Sequence, residues 1–318
     1  MTASQPTALD PGGTNAIGRM LGLLGDEWNL LIIQQALMGA TRYSHFIARL
    51  PISNSVLTTR LRMLVDQGLL SRRANGYLPT ARSRSLWPVL VSIWEWERTW
   101  VGEHPENLPA MRHRTCGELF SPLPRCAACG AAVNDEDVDL DLGPSGQWSR
   151  FAPTAATRRR SEPATTTRHA GLFPETMAAL GNRWAAAILV AAFLQTKRFT
   201  DFQNQLGAPP SVLTERLQTF CAIGVFSTAP AGPGGTERAA YLLTDKGRAF
   251  GGVLVAALQW AQRWFIAPEG PAVSLRHRTC GRPLTAELAC DRCSGRLTGA
   301  KVAVTGFDDA GPISPGRE

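Results

Sequence analysis

Laid against itself, the chain repeats. LGDEW at 24–28 returns as LGNRW at 180–184, RYSHF at 42–46 as RFTDF at 198–202, and SVLTTRL at 55–61 as SVLTERL at 211–217, each 156 residues later. From YLPTARSR (77–84) against YLLTDKGR (241–248) onward the offset is 164, and it holds for Trp96 and Trp100 against Trp260 and Trp264. The second copy therefore gained eight residues between Leu217 and Tyr241, in the Gly- and Pro-rich STAPAGPGGTERAA. A chain of 318 residues built this way folds as two related domains, each long enough to bury its own core.

Within the first copy, Ile17, Met20, Leu21 and Leu24 have helical spacing behind Asn15, a good N-cap, and a second helix runs from Glu27 to Met38. Thr41 can cap a short helix that Pro51 ends, and Ser53 a longer one reaching Gln67, with Val56, Leu57, Leu61 and Leu64 as its buried stripe. LLSRRA, the turn pair Asn75 and Gly76, and YLPT then read as a β-hairpin, followed by a last helix from Pro88 to Val101 carrying Trp94, Trp96 and Trp100. A helix-turn-helix followed by a hairpin is a winged helix, whose second helix enters the major groove of DNA.

On that helix Ser55, Thr58, Thr59 and Arg62 face outwards, where small hydroxyls allow close approach and arginine can be bidentate to guanine. Arg60, retained as Arg216, lies at the margin of the stripe and is expected to clamp a phosphate; Arg72 and Arg73 sit at the base of the wing. With Arg42 and Ser53, and with Arg198, Ser211 and Thr214 in the second copy, these are the candidate DNA-binding residues. The net charge of +7 and pI near 9.4 favour an anionic partner, double-stranded DNA above others. Lysine occurs only at 197, 246 and 301, so arginine carries nearly all of that charge.

The run LGDEWNLLIIQQALMGATRYSHFIARLPISNSVLTTRLRMLVDQGLLSRR resembles the HxlR-type winged-helix transcriptional regulators, and SLWPVLVSIWEWERTW is similar to their dimerisation helix. The resemblance covers both copies. It implies a compact dimer of winged helices, joined through terminal helices, that binds operator DNA and usually represses. The chain departs from the pattern in three respects. TNAIGRM lacks the redox-sensing cysteine that many members carry before the first helix, Glu215 stands where the first copy has Thr59, and two copies share one polypeptide. A family dimer could thus be rebuilt within the chain; a true homodimer and independent beads on a string are the other arrangements.

His113, Cys116, Cys126 and Cys129 are spaced H-x2-C-x9-C-x2-C, and His277, Cys280, Cys290 and Cys293 repeat that spacing. Between the ligands the copies have diverged completely, GELFSPLPR against GRPLTAELA, so the ligand types themselves are constrained. Two knuckles per copy, three thiolates and one imidazole, make a closed tetrahedral shell suited to structural zinc, two ions per chain. The alternatives are a redox-active Cys-x-x-Cys pair and a disulfide, the latter disfavoured in a reducing cytoplasm. Cys221, the remaining cysteine, is expected to be a buried thiol.

The expected fold is mainly α with small β-hairpins: two tandem winged helices (15–110 and 173–274), each followed by a zinc-ribbon-like module (111–133 and 275–300). A disordered N-terminus (1–14), a flexible linker (134–172) and a tail (301–318) complete the chain. The linker begins acidic, NDEDVDLD, then turns Pro-, Ser-, Thr- and Arg-rich; its Arg158–Arg160 run reads as solvated. No signal-peptide core begins the sequence, and WAAAILVAAFL at 184–194 is about half the roughly 20 residues of a spanning helix, which argues for a cytoplasmic protein without a membrane partner. His45, His104 and His169 have no nucleophile in a motif, and GPGG at 232–235 lacks the strand and helix of a phosphate loop, so no enzyme is expected. The competing function is a repurposed double winged helix that binds a small-molecule effector or a protein, with weak DNA binding.

Overall fold

The computed structural model describes residues 5–74, 76–102, 108–153, 173–229 and 240–304. Strand β1 (Thr7–Ala8) precedes helices α1 (Ala16–Leu24), α2 (Glu27–Leu37), α3 (Tyr43–Arg49) and α4 (Asn54–Asp66). The hairpin β2 (Leu70–Arg73) and β3 (Gly76–Pro79), one-turn α5 (Ala81–Arg84) and α6 (Trp87–Trp100) complete the first winged helix, and β4 (Met111–His113), β5 (Pro122–Cys126) and β6 (Val138–Leu142) follow. The second copy repeats the order with α7 (Pro174–Leu180), α8 (Arg183–Phe193), α9 (Phe199–Leu206), α10 (Pro210–Ala222), β7 (Phe226–Ala229), β8 (Ala240–Leu243), α11 (Asp245–Ala249) and α12 (Gly251–Trp264). Strands β9 (Phe265–Ile266), β10 (Val273–His277), β11 (Ala286–Cys290) and β12 (Val302–Val304) end it.

Local chemistry accounts for most boundaries. The side chains of Asn15, Asp26 and Ser53 accept from the N–H groups of Gly18, Asn29 and Val56, satisfying donors that the first turns of α1, α2 and α4 leave open. Helix α3 is capped differently from the sequence expectation: its N-cap is Arg42, not Thr41, and His45 Nδ1 accepts from the N–H groups of both. Helix α4 buries Leu57, Leu61 and Leu64, while Val56 is only half-buried. In the wing, Gly76 has φ +125°, and a Cβ there would overlap the carbonyl oxygen of Thr41, which accepts from Tyr77 N–H at 2.7 Å. Only glycine fits this close approach. Asn75 and most of the longer second wing (230–239) lie outside the described residues.

The copies are related by a pseudo-twofold. Helix α1 packs on α12, α7 on α6, and α6 on α12. Trp96 Nε1 donates to the carbonyl of Lys246 at 2.9 Å, and Trp260 Nε1 to that of Arg82 at 2.9 Å, which is the same bond seen from the other copy. Asp26 and Asn182, N-caps of α2 and α8 and equivalent in the repeat, form an antiparallel bridge with each other. One apolar core, from Ile17 and Phe46 to Phe220 and Trp264, runs through both copies. The beads-on-a-string arrangement is therefore corrected.

Two segments expected to lack structure have it. Thr7 and Ala8 pair in parallel with Phe265 and Ile266, Leu9 is buried, and the N–H of Gly12 donates to Glu269 at 2.7 Å, so the 1–14 expectation is corrected over residues 5–14. Of the expected linker, residues 134–153 belong to the fold: β6 pairs with β10, Asn15 Nδ2 donates to the carbonyl of Ser145 at 2.7 Å, and Phe151 is buried. Alternating Val138, Leu140 and Leu142 supply the strand pattern. Residues 154–172, with Arg158–Arg160 and His169, lie outside the described residues, as do His104 and 305–318; residues 302–304 of the expected tail form β12.

Candidate nucleic-acid interface and metal centres

Three two-stranded antiparallel sheets form the cysteine-rich module, and every one joins a strand of one copy to a strand of the other: β4 with β12, β5 with β11, β6 with β10. In the β5–β11 ladder Pro124 faces Leu288, its own repeat equivalent, which places the pseudo-twofold through that pair. Leu288, Phe120, Leu297 and Val302 are buried around Cys290 in a small core of their own, and Leu275 and Leu284 around Cys126.

This exchange re-sorts the ligands. His113 and Cys116 lie with Cys290 and Cys293, and His277 and Cys280 with Cys126 and Cys129; in each group the ligand atoms are within 4.8 Å of one another. The expectation that the four ligands of one copy close one shell is corrected: all eight residues assemble, but two from each copy form each cluster. Spacing could not reveal this, because both ways of closing the shells use the same half-sites.

Four similar turns present the pairs. After the second ligand of each pair comes a residue in the left-handed region, Gly117, Gly130, Gly281 or Ser294, with φ of +77°, +75°, +67° and +58°. Its N–H donates back to the carbonyl of the first ligand at 2.7–2.9 Å. His113 Nδ1 is 3.4 Å from Cys116 Sγ and 3.3 Å from Cys293 Sγ; Cys116 Sγ is 3.9 Å from Cys290 Sγ. His277 Nδ1 is 3.4 Å from both Cys129 Sγ and Cys280 Sγ. A tetrahedral ion with ordinary zinc bond lengths separates sulfur from sulfur by about 3.8 Å and sulfur from nitrogen by about 3.5 Å, so the donors fit such an ion.

The imidazoles and Cys126 and Cys290 are fully buried while Cys129 and Cys293 are exposed. Burial pushes the Cys126 thiol up, but the N–H groups of Ala128 and Cys129 and the nearby thiols outweigh it and hold it below the usual thiol range. Cys293 also lies below that range, drawn down first by the N–H of Gly295. Cys129 and Cys290, in contrast, lie above that range, so in each cluster one thiol is drawn towards the thiolate that binds metal and another away from it. Cys221 stands apart and half-buried, and burial pushes its thiol up.

On the first head, Arg42, Ser53, Ser55, Thr58, Thr59, Arg62, Arg72 and Arg73 are all exposed, on α4, at the cap of α3 and on β2. On the second, Arg198, Ser211 and Thr214 occupy the equivalent places and are exposed. Arg60 and Arg216 are held in ion pairs within the protein. Arg60 turns inwards and pairs with Asp26 at 2.7 Å, next to the pseudo-twofold, so its guanidinium is engaged within the protein. Arg216 pairs with Glu215 at 2.8 Å.

The two ion pairs explain Glu215. A second aspartate at 182 would set two carboxylates against each other across the bridge, an unfavourable like-charge contact. Asn182 removes that charge, and Glu215 supplies it to Arg216 from the adjacent position instead. Replacing Arg60 with alanine is expected to lower stability by about 1 kcal/mol or less, since the pair is partly solvated, and to leave the salt dependence of DNA binding unchanged. A salt slope reduced by about one unit would support the clamp role.

A family model described as HxlR-like helix-turn-helix matches residues 23–105 and again 179–268, together more than half of the chain. An uncharacterized HTH-type transcriptional regulator of Mycobacterium tuberculosis is 35% identical over 123 residues, covering 39% of this chain and 77% of that protein. A Bacillus subtilis protein of the same description is 31% identical over 91 residues, covering 26% of this chain and 84% of its own. A solved structure of a candidate transcription factor from Pseudomonas aeruginosa is 30% identical, with a TM-score of 0.30, covering 38% of this chain and 82% of that one. Among the described residues no helix is long and apolar enough to cross a membrane.

Proposed function

Because this chain belongs to the HxlR-like helix-turn-helix family of DNA-binding transcription regulators, we propose that it acts as a repressor and holds duplex DNA as an intramolecular pseudodimer. The observation that carries this reading is the pseudo-twofold: two winged helices sharing one core stand in the relation that separate protomers of a dimeric regulator would. Arg42, Ser53, Ser55, Thr58, Thr59, Arg62, Arg72 and Arg73 of the first head, with Arg198, Ser211 and Thr214 of the second, make the contacts. Arginines hold phosphates and guanine edges, and hydroxyls let α4 approach bases closely. Occupying a promoter with such a body excludes polymerase.

Zinc is the ion we assign to both clusters, because three thiolates and an imidazole form a soft, closed tetrahedral set with no position left for a reacting water. When bound, zinc supplies cross-links. His113 and Cys116 would be tied to Cys290 and Cys293, and Cys126 and Cys129 to His277 and Cys280, stapling the copies together.

Selection of genomic fragments by the full-length, metal-loaded protein tests the regulator reading. A salt-dependent preference for a fragment at a promoter is expected, and transcription from it should fall when the protein is added. Arg72→Ala with Arg73→Ala should lower the slope of log affinity against log salt by about two units, roughly 0.9 for each lost phosphate contact, without changing the thermal midpoint. Equal, weak retention of all duplexes would overturn the reading and favour a ligand-binding role.

A further inference from the structure

We infer that the two heads are unequal and that one chain specifies a single half-site: base discrimination comes from the first head, while the second adds weak, sequence-tolerant contact. This rests on the regulator reading above and concerns which surface of it reads DNA.

The duplication permits a residue-by-residue comparison. Residues 41–73 hold six arginines and one aspartate, whereas the equivalent 197–229 hold three cations and two carboxylates. Arg62 becomes Gln218, and Arg72 and Arg73 become Thr228 and Ala229. Arg62, Arg72 and Arg73 are exposed and have no ion-pair partner among the described residues. The second head's recognition helix α10 has Arg216 as its cation, and Glu215 already neutralises it.

The leading end of the helix changes as well, and in a helix-turn-helix that end meets the base edges. Helix α4 presents Ser53, Asn54 and Ser55; α10 presents Pro209, Pro210 and Ser211, with no side-chain cap bond. Two prolines remove two backbone N–H donors and two hydrogen-bonding side chains at once. What the second head keeps is Lys197 and Arg198 beside the wing, and Thr214, enough to lie against a backbone. Two equal heads would call for an inverted repeat; these call for one specified half with an unspecified flank.

The test uses full-length protein and random-sequence duplexes, then a base-pair scan of the selected site by fluorescence anisotropy at fixed salt. Sequence preference should be confined to one half-site within about one helical turn. Arg62→Ala should weaken binding on the order of ten-fold, and Gln218→Ala, at the equivalent position, less than two-fold. In the converse variant, Gln218→Arg with Thr228→Arg and Ala229→Arg, all at surface or half-buried positions, affinity for a duplex carrying the selected half-site as an inverted repeat should rise on the order of ten-fold. A selected site that is itself an inverted repeat, with equal loss from R62A and Q218A, overturns this inference while leaving the regulator reading intact. Absence of any preferred sequence overturns both.

Discussion

A chain carrying Cys116→Ser together with Cys126→Ser is expected to keep no tightly held metal, whereas Cys116→Ser together with Cys290→Ser should keep one ion of two. The first pair of changes strikes both clusters, because Cys116 sits with Cys290 and Cys293 while Cys126 sits with His277 and Cys280. The second pair strikes one cluster twice. Shells closed within each copy would give the reverse, one ion left in the first variant and none in the second, so metal analysis after dialysis against a chelator separates the arrangements. Apparent binding free energies of structural zinc sites are about 10–16 kcal/mol, comparable with the whole stability of a typical domain. Loss of both ions should therefore open the β4–β12, β5–β11 and β6–β10 pairs, with a fall in β-type circular dichroism. Retention of helix signal would mark the shared winged-helix core as the part that stands without metal.

Truncating Trp96 or Trp260 to alanine should each destabilise the chain by about 3–5 kcal/mol, measured by denaturant unfolding. Each ring is 3% exposed. Trp96 stands edge-on to Phe250 at 5.0 Å and lies under Lys246 Nζ at 5.5 Å; Trp260 stands edge-on to Phe265 at 5.8 Å. Alanine leaves a cavity between the copies and strands the carbonyl of Lys246 or Arg82. Phenylalanine keeps most of the volume and loses only the donor, so Trp96→Phe should cost about 1–2 kcal/mol. Near-equal losses at positions 96 and 260 would bear on the pseudo-twofold as well as on packing; a change below about 1 kcal/mol for either alanine variant would mean that the copies are not held together through these rings.

What was legible in the sequence was local or repeated. Caps at Asn15 and Ser53, the stripe of Leu57, Leu61 and Leu64, and the glycine of the wing all declare themselves within a few residues. The duplication revealed which positions correspond, and hence the eight metal-ligand candidates. It could not say which half-sites meet, since a duplicated motif closes equally well within a copy or across copies. The ion pair of Arg60 was not legible because its partner Asp26 is distant in sequence, although the paired changes to Asn182 and Glu215 were visible in the repeat comparison. The strand over 138–142 was hidden by its setting: acidic and Pro-rich surroundings suggested a linker, while the alternation of Val, Leu and Leu with Asp139 and Asp141 carried the opposite signal.

Ligand exchange also sets an order in time. The first copy leaves the ribosome with His113, Cys116, Cys126 and Cys129 divided between two half-built clusters, and no cluster is complete until Cys280 or Cys293 follows, 164 residues behind its counterpart. At elongation rates of about 5–20 residues per second that delay is roughly ten to thirty seconds. A chain interrupted before the second knuckles can assemble neither cluster, however well its first winged helix folds. Closure of either cluster therefore depends on synthesis having passed Cys280, and until then the ligands of the first copy are left without their partners.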